Sequence, residues 1–264
     1  MIDFAFLDSG TGGIPYLLHM QKVVPQADCV YVGDTVNFPY GEKSHEEIVK
    51  CVLACVNKII KKFDPKVIII ACNTMSVNTL DVLREVYPER TFVGTVPAIK
   101  VAGDISKKRC IGLLATNSTC KHPYNQDLKN HFASDCKMVL RADPELISFI
   151  EHKSFTATED ERKAACKPAV DFFRQEECDV IILGCTHFLN LKDEMQKVSE
   201  PDICVVDSVE GVTKRAVAVH GPFEKSGESK GSAALFVTGF SDKKDEKAYD
   251  VICKKYNWRF GSKL

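Results

Sequence analysis

Two apolar segments of this chain end in the same way, each in a cysteine followed by polar residues. The first is Val67–Ile70, four β-branched residues that lead into Ala71-Cys72-Asn73-Thr74. The second is Val180–Leu183, which begins 113 positions later and leads into Gly184-Cys185-Thr186-His187. An unbroken apolar run predicts a strand buried on both faces, as in a parallel sheet. Ligands bind at the carboxyl ends of such strands, so the repeat predicts two similar halves that contribute to one site.

The repeat extends to a second pair of predicted strands, at an offset of 107 residues. Phe6-Leu7-Asp8-Ser9, at the end of the first strand, corresponds to Leu113-Leu114-Ala115-Thr116. The first half therefore has a carboxylate, Asp8, where the second half has hydroxyl groups. Strands alternate with helices along the chain, which predicts a parallel α/β architecture. We expect one α/β domain formed by residues 1–95 and a returning C-terminal tail, 208–264, and a second domain formed by residues 96–207.

Local signals indicate where individual helices and loops lie. Ser44 and Thr158 each begin a capping box, in which a glutamate follows three residues later. These caps predict a helix from Ser44 to about Phe63 and a helix from Thr158 to about Gln175. We also expect a helical turn from Glu145 to Glu151 and a helix from Asp242 to Lys255. Residues His220 to Ser232 are rich in Gly, Ser, Lys and Glu, which predicts a solvated loop.

Composition argues against several classes of function. At 264 residues and 45% hydrophobic content, the chain is long enough to bury a sizeable core. Its formal net charge of −1 gives no electrostatic footprint for nucleic acid. No apolar run approaches the roughly 20 residues that a membrane span needs, and the N terminus has no signal-peptide pattern. We therefore expect a cytoplasmic protein without a nucleic-acid or membrane partner.

The chain contains 12 cysteines, and without an export signal we expect them to be reduced. No Cys-x-x-Cys motif occurs, which argues against zinc ribbons and thioredoxin-type sites, and we predict no metal site. Cys51 and Cys55 lie four residues apart on a predicted helix, where we expect them to face the core. The Gly-rich turn after Asp8 is neither a Walker A motif nor a complete Gly-x-Gly-x-x-Gly, so it is weak support for a nucleotide cofactor.

Three kinds of chemistry use two thiols in equivalent places. The pair could form a redox disulfide, or one thiol could be a nucleophile and the other resolve its intermediate. The third is acid–base catalysis from opposite faces of a flat intermediate, as inversion at carbon requires. Two identical groups suit a reaction whose two directions are chemically equal. A polar neighbour must tune each thiol, and the candidates are Asp8 and His187, one in each half.

Five motifs, in this order and rough spacing, resemble those of the glutamate racemases. They are Asp8-Ser9-Gly10-x-Gly12-Gly13, Pro39-Tyr40-Gly41, Cys72-Asn73-Thr74-x-Ser76, Ala115-Thr116-x-x-Thr119 and Gly184-Cys185-Thr186-His187. The similarity spans about Phe4 to Asp207. It implies two pseudo-symmetric α/β domains of parallel sheet, with the active site in the cleft between them. It also implies a cofactor-independent enzyme that interconverts L- and D-glutamate and supplies D-glutamate for peptidoglycan synthesis, and we expect a homodimer.

The resemblance implies roles for individual residues. Cys72 and Cys185 match the two catalytic acid–base residues, and Asp8, His187 and Glu151 match their polar assistants. The family pattern further implies that Cys72 deprotonates D-glutamate and that Cys185 deprotonates L-glutamate. Substrate-binding positions are matched by Asp8, Ser9, Pro39, Tyr40, Gly41, Asn73, Thr74, Thr116, Thr119, Thr186 and His187.

One segment departs from the family pattern. Phe188-Leu189-Asn190 follows His187 where an aromatic residue, Pro and Leu are usual, which predicts a change in how the next helix begins. His187 and the context of Ser76 favour glutamate over aspartate, since the aspartate racemases tend to have Glu after the second Cys-Thr.

Two hypotheses of other classes remain open beside the racemase. In a thiol–disulfide protein, Cys72 and Cys185 would form a redox couple, which a two-proton mass loss during turnover would reveal. A non-catalytic amino-acid-binding protein would bind glutamate without converting it.

Overall fold

The computed structural model describes residues 2–154, 156–223, 230–240 and 243–264. The chain divides into two compact units. Unit 1 contains the residues up to Thr95 together with those from Val209 onward, and unit 2 contains Val96–Ser208. None of the described helices is both long enough and apolar enough to cross a bilayer.

Strands and helices alternate through both units. The first part of unit 1 contains β1 (Phe4–Asp8), α1 (Ile14–Val23), β2 (Cys29–Gly33), α2 (His45–Phe63), β3 (Val67–Ile70), α3 (Asn73–Val86) and β4 (Thr91–Gly94), with 3₁₀ turns at Thr35–Asn37 and Tyr40–Glu42. Unit 2 contains α4 (Ile99–Ile105), β5 (Cys110–Ala115), α5 (Asn117–Lys121), α6 (Tyr124–Phe132), β6 (Lys137–Ala142), α7 (Pro144–His152), α8 (Glu159–Gln175), β7 (Val180–Leu183), a 3₁₀ segment (Thr186–Leu191), α9 (Lys192–Ser199) and β8 (Cys204–Val206). The chain returns to unit 1 with α10 (Val209–His220), β9 (Ala233–Val237), α11 (Lys243–Tyr256) and β10 (Arg259–Lys263).

Each unit is built on its own parallel sheet. Unit 1 has six strands in the order β10-β9-β2-β1-β3-β4, and unit 2 has four in the order β6-β5-β7-β8. The pairing is parallel throughout both sheets. The predicted architecture of two parallel α/β sheets is confirmed. Four neighbouring strands of unit 1, β2-β1-β3-β4, correspond in order to the whole sheet of unit 2.

Strand register shows that the repeat in the sequence is also a repeat in the structure. In unit 1, Leu7 of β1 pairs with Ile70 of β3. In unit 2, the residues at offsets of 107 and 113 pair in the same way, Leu114 of β5 with Leu183 of β7. Both offsets read from the sequence therefore relate residues in equivalent places of the two sheets.

The backbone keeps this equivalence up to the two thiols. Ala71 and Gly184 each donate a 2.7 Å backbone hydrogen bond to the carbonyl of the neighbouring strand, β1 and β5 respectively. Cys72 and Cys185 come directly afterwards, and both are extended, with φ/ψ of −126°/125° and −140°/138°. Each thiol thus lies just past the carboxyl end of an equivalent central strand.

The cores form as the apolar runs predict. Every residue of β1, β3 and β7 is buried. Helix α2 covers the unit 1 sheet, and its capping box between Ser44 and Glu47 fixes where it begins. Cys55 belongs to this core and Cys51 packs against it, as expected from their helical spacing. A fully buried aliphatic side chain contributes about 1.5–3 kcal/mol, so these faces hold the sheet and helices together.

Several segments differ from the sequence-based expectations. The helical turn predicted at Glu145–Glu151 is part of a full helix, α7, which Asp143 caps by accepting a bond from the backbone N–H of Leu146 at 3.0 Å. A 3₁₀ segment precedes α9 after Cys185. Strand β10 is not predicted, because its Arg-Phe-Gly-Ser-Lys sequence has no apolar alternation. Helices α4 and α6 are also not predicted. Residues 224–229 of the predicted loop and Asp242 of the predicted last helix lie outside the described residues.

Candidate active site

Cys72 of unit 1 lies between the end of β3 and the first residue of α3. Its side chain is nearly buried, at 5% exposure. The thiol donates to the hydroxyl of Ser9, with an Sγ–Oγ distance of 3.8 Å. Since Ser9 directly follows β1, the structure brings together residues of two separate motifs at the carboxyl ends of adjacent strands.

Asp8 ends β1 and is fully buried. Its Oδ2 atom accepts hydrogen bonds from the backbone N–H of Gly13 and from the hydroxyl of Tyr31, both at 2.9 Å. A Cβ atom at position 13 would lie 2.9 Å from the backbone oxygen of Ala71 and 3.1 Å from the Tyr31 hydroxyl. Only glycine allows so close an approach, so the Gly-rich turn delivers a backbone donor to the Asp8 carboxylate.

Tyr31 is a member of this cluster that the motifs do not reveal. It lies at the centre of β2 and is fully buried. Burial, followed by the charge of Asp8, raises the pKa of Tyr31 well above its ordinary value. The phenol therefore stays protonated and donates to the carboxylate. No sequence signal distinguishes it, because a tyrosine at a strand centre is typical of a core residue.

A second carboxylate, Asp34, anchors the Pro39-Tyr40-Gly41 motif. It follows β2, is fully buried, and accepts hydrogen bonds from the side chains of Asn37, Tyr40 and Thr238. The Tyr40 hydroxyl donates its single proton to Asp34, so a ligand bond donated by this residue would come from its backbone. Pro39 is exposed and Gly41 is half-buried. The sequence motifs do not identify Asp34 either.

The first turn of α3 contains a buried donor without a partner. Asn73 is 2% exposed, and its Nδ2 atom has no hydrogen-bond partner among the described residues. An unsatisfied buried donor costs about 1–3 kcal/mol. Such a group beside Cys72 is suited to bind an acceptor atom of a ligand. Thr74, also a predicted site residue, is buried in the same turn.

Three predicted residues of unit 2 form one chain of contacts. Sγ of Cys185 lies 3.6 Å from Nδ1 of His187, and Nε2 of His187 lies 3.0 Å from Oε2 of Glu151. Cys185 and His187 are buried, and Glu151 is half-buried on α7. Because a 3₁₀ segment begins at Thr186, the His187 ring is within reach of the thiol only two residues earlier.

The contacts of His187 favour its protonated form. Burial alone lowers the pKa of His187, but its hydrogen bonds with Cys185 and Glu151 and their negative charges raise it well above its ordinary value. An imidazolium ring donates from both nitrogens, here to the sulfur and to the carboxylate. A cation beside a sulfur atom stabilises negative charge on it. Glu151, which the resemblance matches to a polar assistant, is thus in direct contact with His187.

Hydroxyl side chains follow strands β5 and β7 of unit 2. Thr116 caps α5, since its Oγ1 atom accepts a 3.1 Å bond from the backbone N–H of Thr119 and lies 3.0 Å from the Thr119 hydroxyl. Thr119 and Thr186 are both buried. Asn125 donates to the backbone carbonyl of Thr119, and its Oδ1 atom has no partner in the described part of the chain. Asn125 is a further residue that the motifs do not reveal.

The side chains of the described residues also bear on metal chemistry. Across residues 2–154, 156–223, 230–240 and 243–264, no group of three or more His, Cys, Asp or Glu side chains is arranged to hold a metal ion. All 12 cysteines have free thiols.

Comparison with known proteins identifies the family of this chain. Residues 18–216 match the family described as Asp/Glu/Hydantoin racemase, and the chain belongs to this family. Within it, the chain is 40% identical over 262 residues to the glutamate racemase of Treponema pallidum (strain Nichols), which covers 98% of this chain and 93% of the relative. It is 36% identical over 208 residues to the glutamate racemase of Shewanella sp. (strain MR-4), covering 79% and 75%.

A solved structure gives the same result. The glutamate racemase of Escherichia coli, crystallised with L-glutamate and the activator UDP-MurNAc-ala, matches with a TM-score of 0.85 at 29% identity, over 100% of this chain and 98% of that one. The resemblance to glutamate racemases drawn from the motifs is therefore confirmed.

Proposed function

We propose that this chain interconverts L-glutamate and D-glutamate by acid–base catalysis from two thiols, without a cofactor. One cysteine, as a thiolate, removes the α-proton, and the other, as a thiol, delivers a proton to the opposite face of the planar intermediate. The two groups exchange roles in the reverse direction, and each turnover leaves the pair with the opposite protonation. Glutamate as the substrate is supported by the names of the relatives that cover most of this chain.

The observation that carries the proposal is the equivalence of Cys72 and Cys185. Both follow a buried central strand of a parallel sheet, at matching register, directly after a matching backbone hydrogen bond. A nucleophile with a resolving partner, or a redox couple, has no need of two equivalent settings. A reaction that must run equally well in both directions does require two equivalent settings.

The two thiols have different neighbours, an imidazole ring beside Cys185 and a hydroxyl beside Cys72. The His187 imidazolium donates to the Cys185 sulfur, which favours a thiolate there. The Cys72 sulfur lies 3.8 Å from the uncharged hydroxyl of Ser9. In the direction that starts from the Cys185 thiolate, Cys185 is the base and Cys72 the acid, and the substrate is the enantiomer that presents its α-proton to Cys185. By family resemblance, that enantiomer is L-glutamate.

Neutral donors are available for the two carboxylates of the substrate. The unpartnered Nδ2 atom of Asn73 is one, and the hydroxyls of Thr116, Thr119 and Thr186 lie in the same unit as Cys185. We assign these residues, with Ser9, Thr74 and the Pro39-Tyr40-Gly41 segment, to substrate binding. Neutral donors suit this task, because they form strong hydrogen bonds to a carboxylate and add no charge beside the two thiols, of which one is a thiolate at any time.

The proposal includes a place for the reaction in the cell. D-Glutamate made by this chain would enter peptidoglycan synthesis in the cytoplasm, and the active form would be a homodimer. Light scattering tests the dimer, and growth of a depleted strain with and without added D-glutamate tests the pathway.

Polarimetry of the purified protein with a single enantiomer of glutamate tests the central activity. We expect the rotation to fall to zero without added pyridoxal phosphate, and to do so unchanged in the presence of a chelator. A variant in which both Cys72 and Cys185 are replaced by serine is the matched control and should leave the rotation constant. Loss of activity with chelator, dependence on pyridoxal phosphate, or faster conversion of aspartate than of glutamate would each contradict the proposal.

A further inference from the structure

Two hydrogen-bond donors in unit 1 meet at one carboxylate oxygen, Oδ2 of Asp8. The Tyr31 hydroxyl and the Gly13 N–H each lie 2.9 Å from Oδ2 of Asp8, and they lie 3.1 Å from each other. The phenol oxygen is also 3.1 Å from the carbonyl of Gly10. Asp8 and Tyr31 are both fully buried. Together these contacts fix the position of this buried carboxylate oxygen.

The phenol has a single proton, and two acceptors lie within reach of it. A charged acceptor forms a stronger hydrogen bond than a neutral carbonyl, so the proton goes to Asp8 rather than to Gly10. Negative charge on the Cys72 sulfur also raises the pKa of Tyr31. Tyr31 therefore lies within electrostatic range of both the carboxylate and the thiol of unit 1.

The repeat between the two units gives an independent comparison. Tyr31 pairs with Phe6 in the β1–β2 ladder, and the equivalent pair in unit 2 is Leu113 with Leu140. Unit 2 has Ala115 at the position equivalent to Asp8, and Leu140 is 41% exposed. The half that lacks the carboxylate therefore also lacks the phenol. A tyrosine that only filled space in β2 would need no hydroxyl.

We propose that Tyr31 is a positioning residue for the Cys72 half of the reaction. Its hydroxyl fixes the Asp8 carboxylate and disperses its charge, so that this charge opposes formation of the Cys72 thiolate less. The kinetic consequence rests on the proposed function, whereas the effect on Cys72 itself does not.

The test compares the wild type, Tyr31→Phe and Tyr87→Phe. Tyr87 is a half-buried residue of the same unit whose ring lies 6.3 Å from that of Phe92, so its variant removes a hydroxyl away from Asp8. Alkylation by iodoacetamide is followed across pH by mass spectrometry of the Cys72 and Cys185 peptides. In Tyr31→Phe we expect the Cys72 curve to move to higher pH by about 0.5 unit or more, because a less dispersed neighbouring negative charge disfavours the thiolate. The Cys185 curve, an internal control in the same sample, should not move, and Tyr87→Phe should move neither.

A second form of the test does not depend on the Phe variant folding. Incorporation of 3-fluorotyrosine at position 31 keeps the ring and the hydroxyl but makes the phenol a stronger donor. The Cys72 curve should then move to lower pH. Equal shifts of the Cys72 and Cys185 curves, or no shift of the Cys72 curve in either form, would overturn the proposal.

Kinetics separate this proposal from the proposed function. With glutamate, Tyr31→Phe should lower kcat/KM about 10-fold, the size expected for losing one hydrogen bond to a charged group. In an Asp8→Asn background the same change should have little further effect, because the group that Tyr31 positions is no longer charged. If the wild type fails to racemise glutamate while the Cys72 shift occurs, the proposed function is wrong and the positioning role stands. If the wild type is active and the Cys72 curve does not move, the positioning role is wrong.

Discussion

Replacing Glu151 with glutamine removes the negative charge 3.0 Å from Nε2 of His187 and keeps the size of the side chain. Burial alone lowers the pKa of His187, and the contacts with Cys185 and Glu151 reverse that effect. A hydrogen bond that involves a charged group is worth about 1.5–3 kcal/mol. Since 1.36 kcal/mol corresponds to one pH unit, His187 in Glu151→Gln should lose its proton about 1 to 2 pH units lower than in the wild type.

This shift has a defined effect on rate. If the imidazolium supports the Cys185 thiolate, the alkaline side of the pH profile of kcat/KM moves down by about the same 1 to 2 units. The loss of activity should therefore be large in mildly alkaline solution and small in mildly acidic solution, where both proteins have a charged His187. Glu145→Gln is the matched control, because Glu145 lies on the same helix and is exposed.

NMR titration of the histidine Cε1–H signals measures the charge directly. The chain has seven histidines, and the signal missing from His187→Asn identifies the relevant one. If His187 loses its proton at the same pH in the wild type and in Glu151→Gln, this reasoning is refuted. A fall in rate by the same factor at every pH would refute it equally.

The effect on stability has a definite sign as well. The folded-state pKa of His187 is raised, so its charge stabilises the fold below the ordinary histidine range, and this contribution is lost as pH rises through the raised value. Wild type and Glu151→Gln should therefore differ in stability most near pH 6, and converge at alkaline pH. A stability difference that grows with pH would contradict the assigned charge.

Two further predictions concern single side chains of the site. Asp8→Asn and His187→Asn should each lower turnover by about 10²–10⁴-fold, the usual contribution of positioned acid–base groups, with an unchanged circular dichroism spectrum; wild-type turnover in both variants would contradict the assigned roles. Asn73→Ala should raise KM for glutamate about 10-fold with a smaller change in kcat, and it should not lower Tm, because it removes an unsatisfied buried donor. An unchanged KM would show that the Nδ2 atom does not bind substrate.

The sequence was sufficient where local chemistry decides the structure. Capping boxes at Ser44 and Thr158 occur as predicted, because both partners of a capping box lie within one turn of helix. The buried strands before Cys72 and Cys185 follow from unbroken apolar runs. The offsets of the repeat also agree with the observed strand register, because equivalent residues of two similar sheets pair in the same way.

The rest of the site depends on contacts between segments that are distant in sequence. Tyr31 meets Asp8 only because β2 is the neighbour of β1 in the sheet. Glu151 reaches His187 from a helix 36 residues earlier in the chain, and no local pattern encodes that packing. Asp34 and Thr238 meet because β9 lies beside β2. Strand β10 is not predicted because it is polar, and an edge strand needs no apolar alternation.

Loss of the α-proton in deuterated water, measured by NMR for Cys72→Ser and Cys185→Ser with each pure enantiomer of glutamate, tests the two-thiol mechanism most directly. A serine hydroxyl is a far poorer base than a thiol, so neither variant should racemise efficiently. The surviving thiol can still remove a proton from the enantiomer that faces it and return a deuteron to the same face. We predict residual exchange of D-glutamate in Cys185→Ser and of L-glutamate in Cys72→Ser. The reverse pattern would exchange the two assignments, and full racemisation by either single variant would contradict the mechanism.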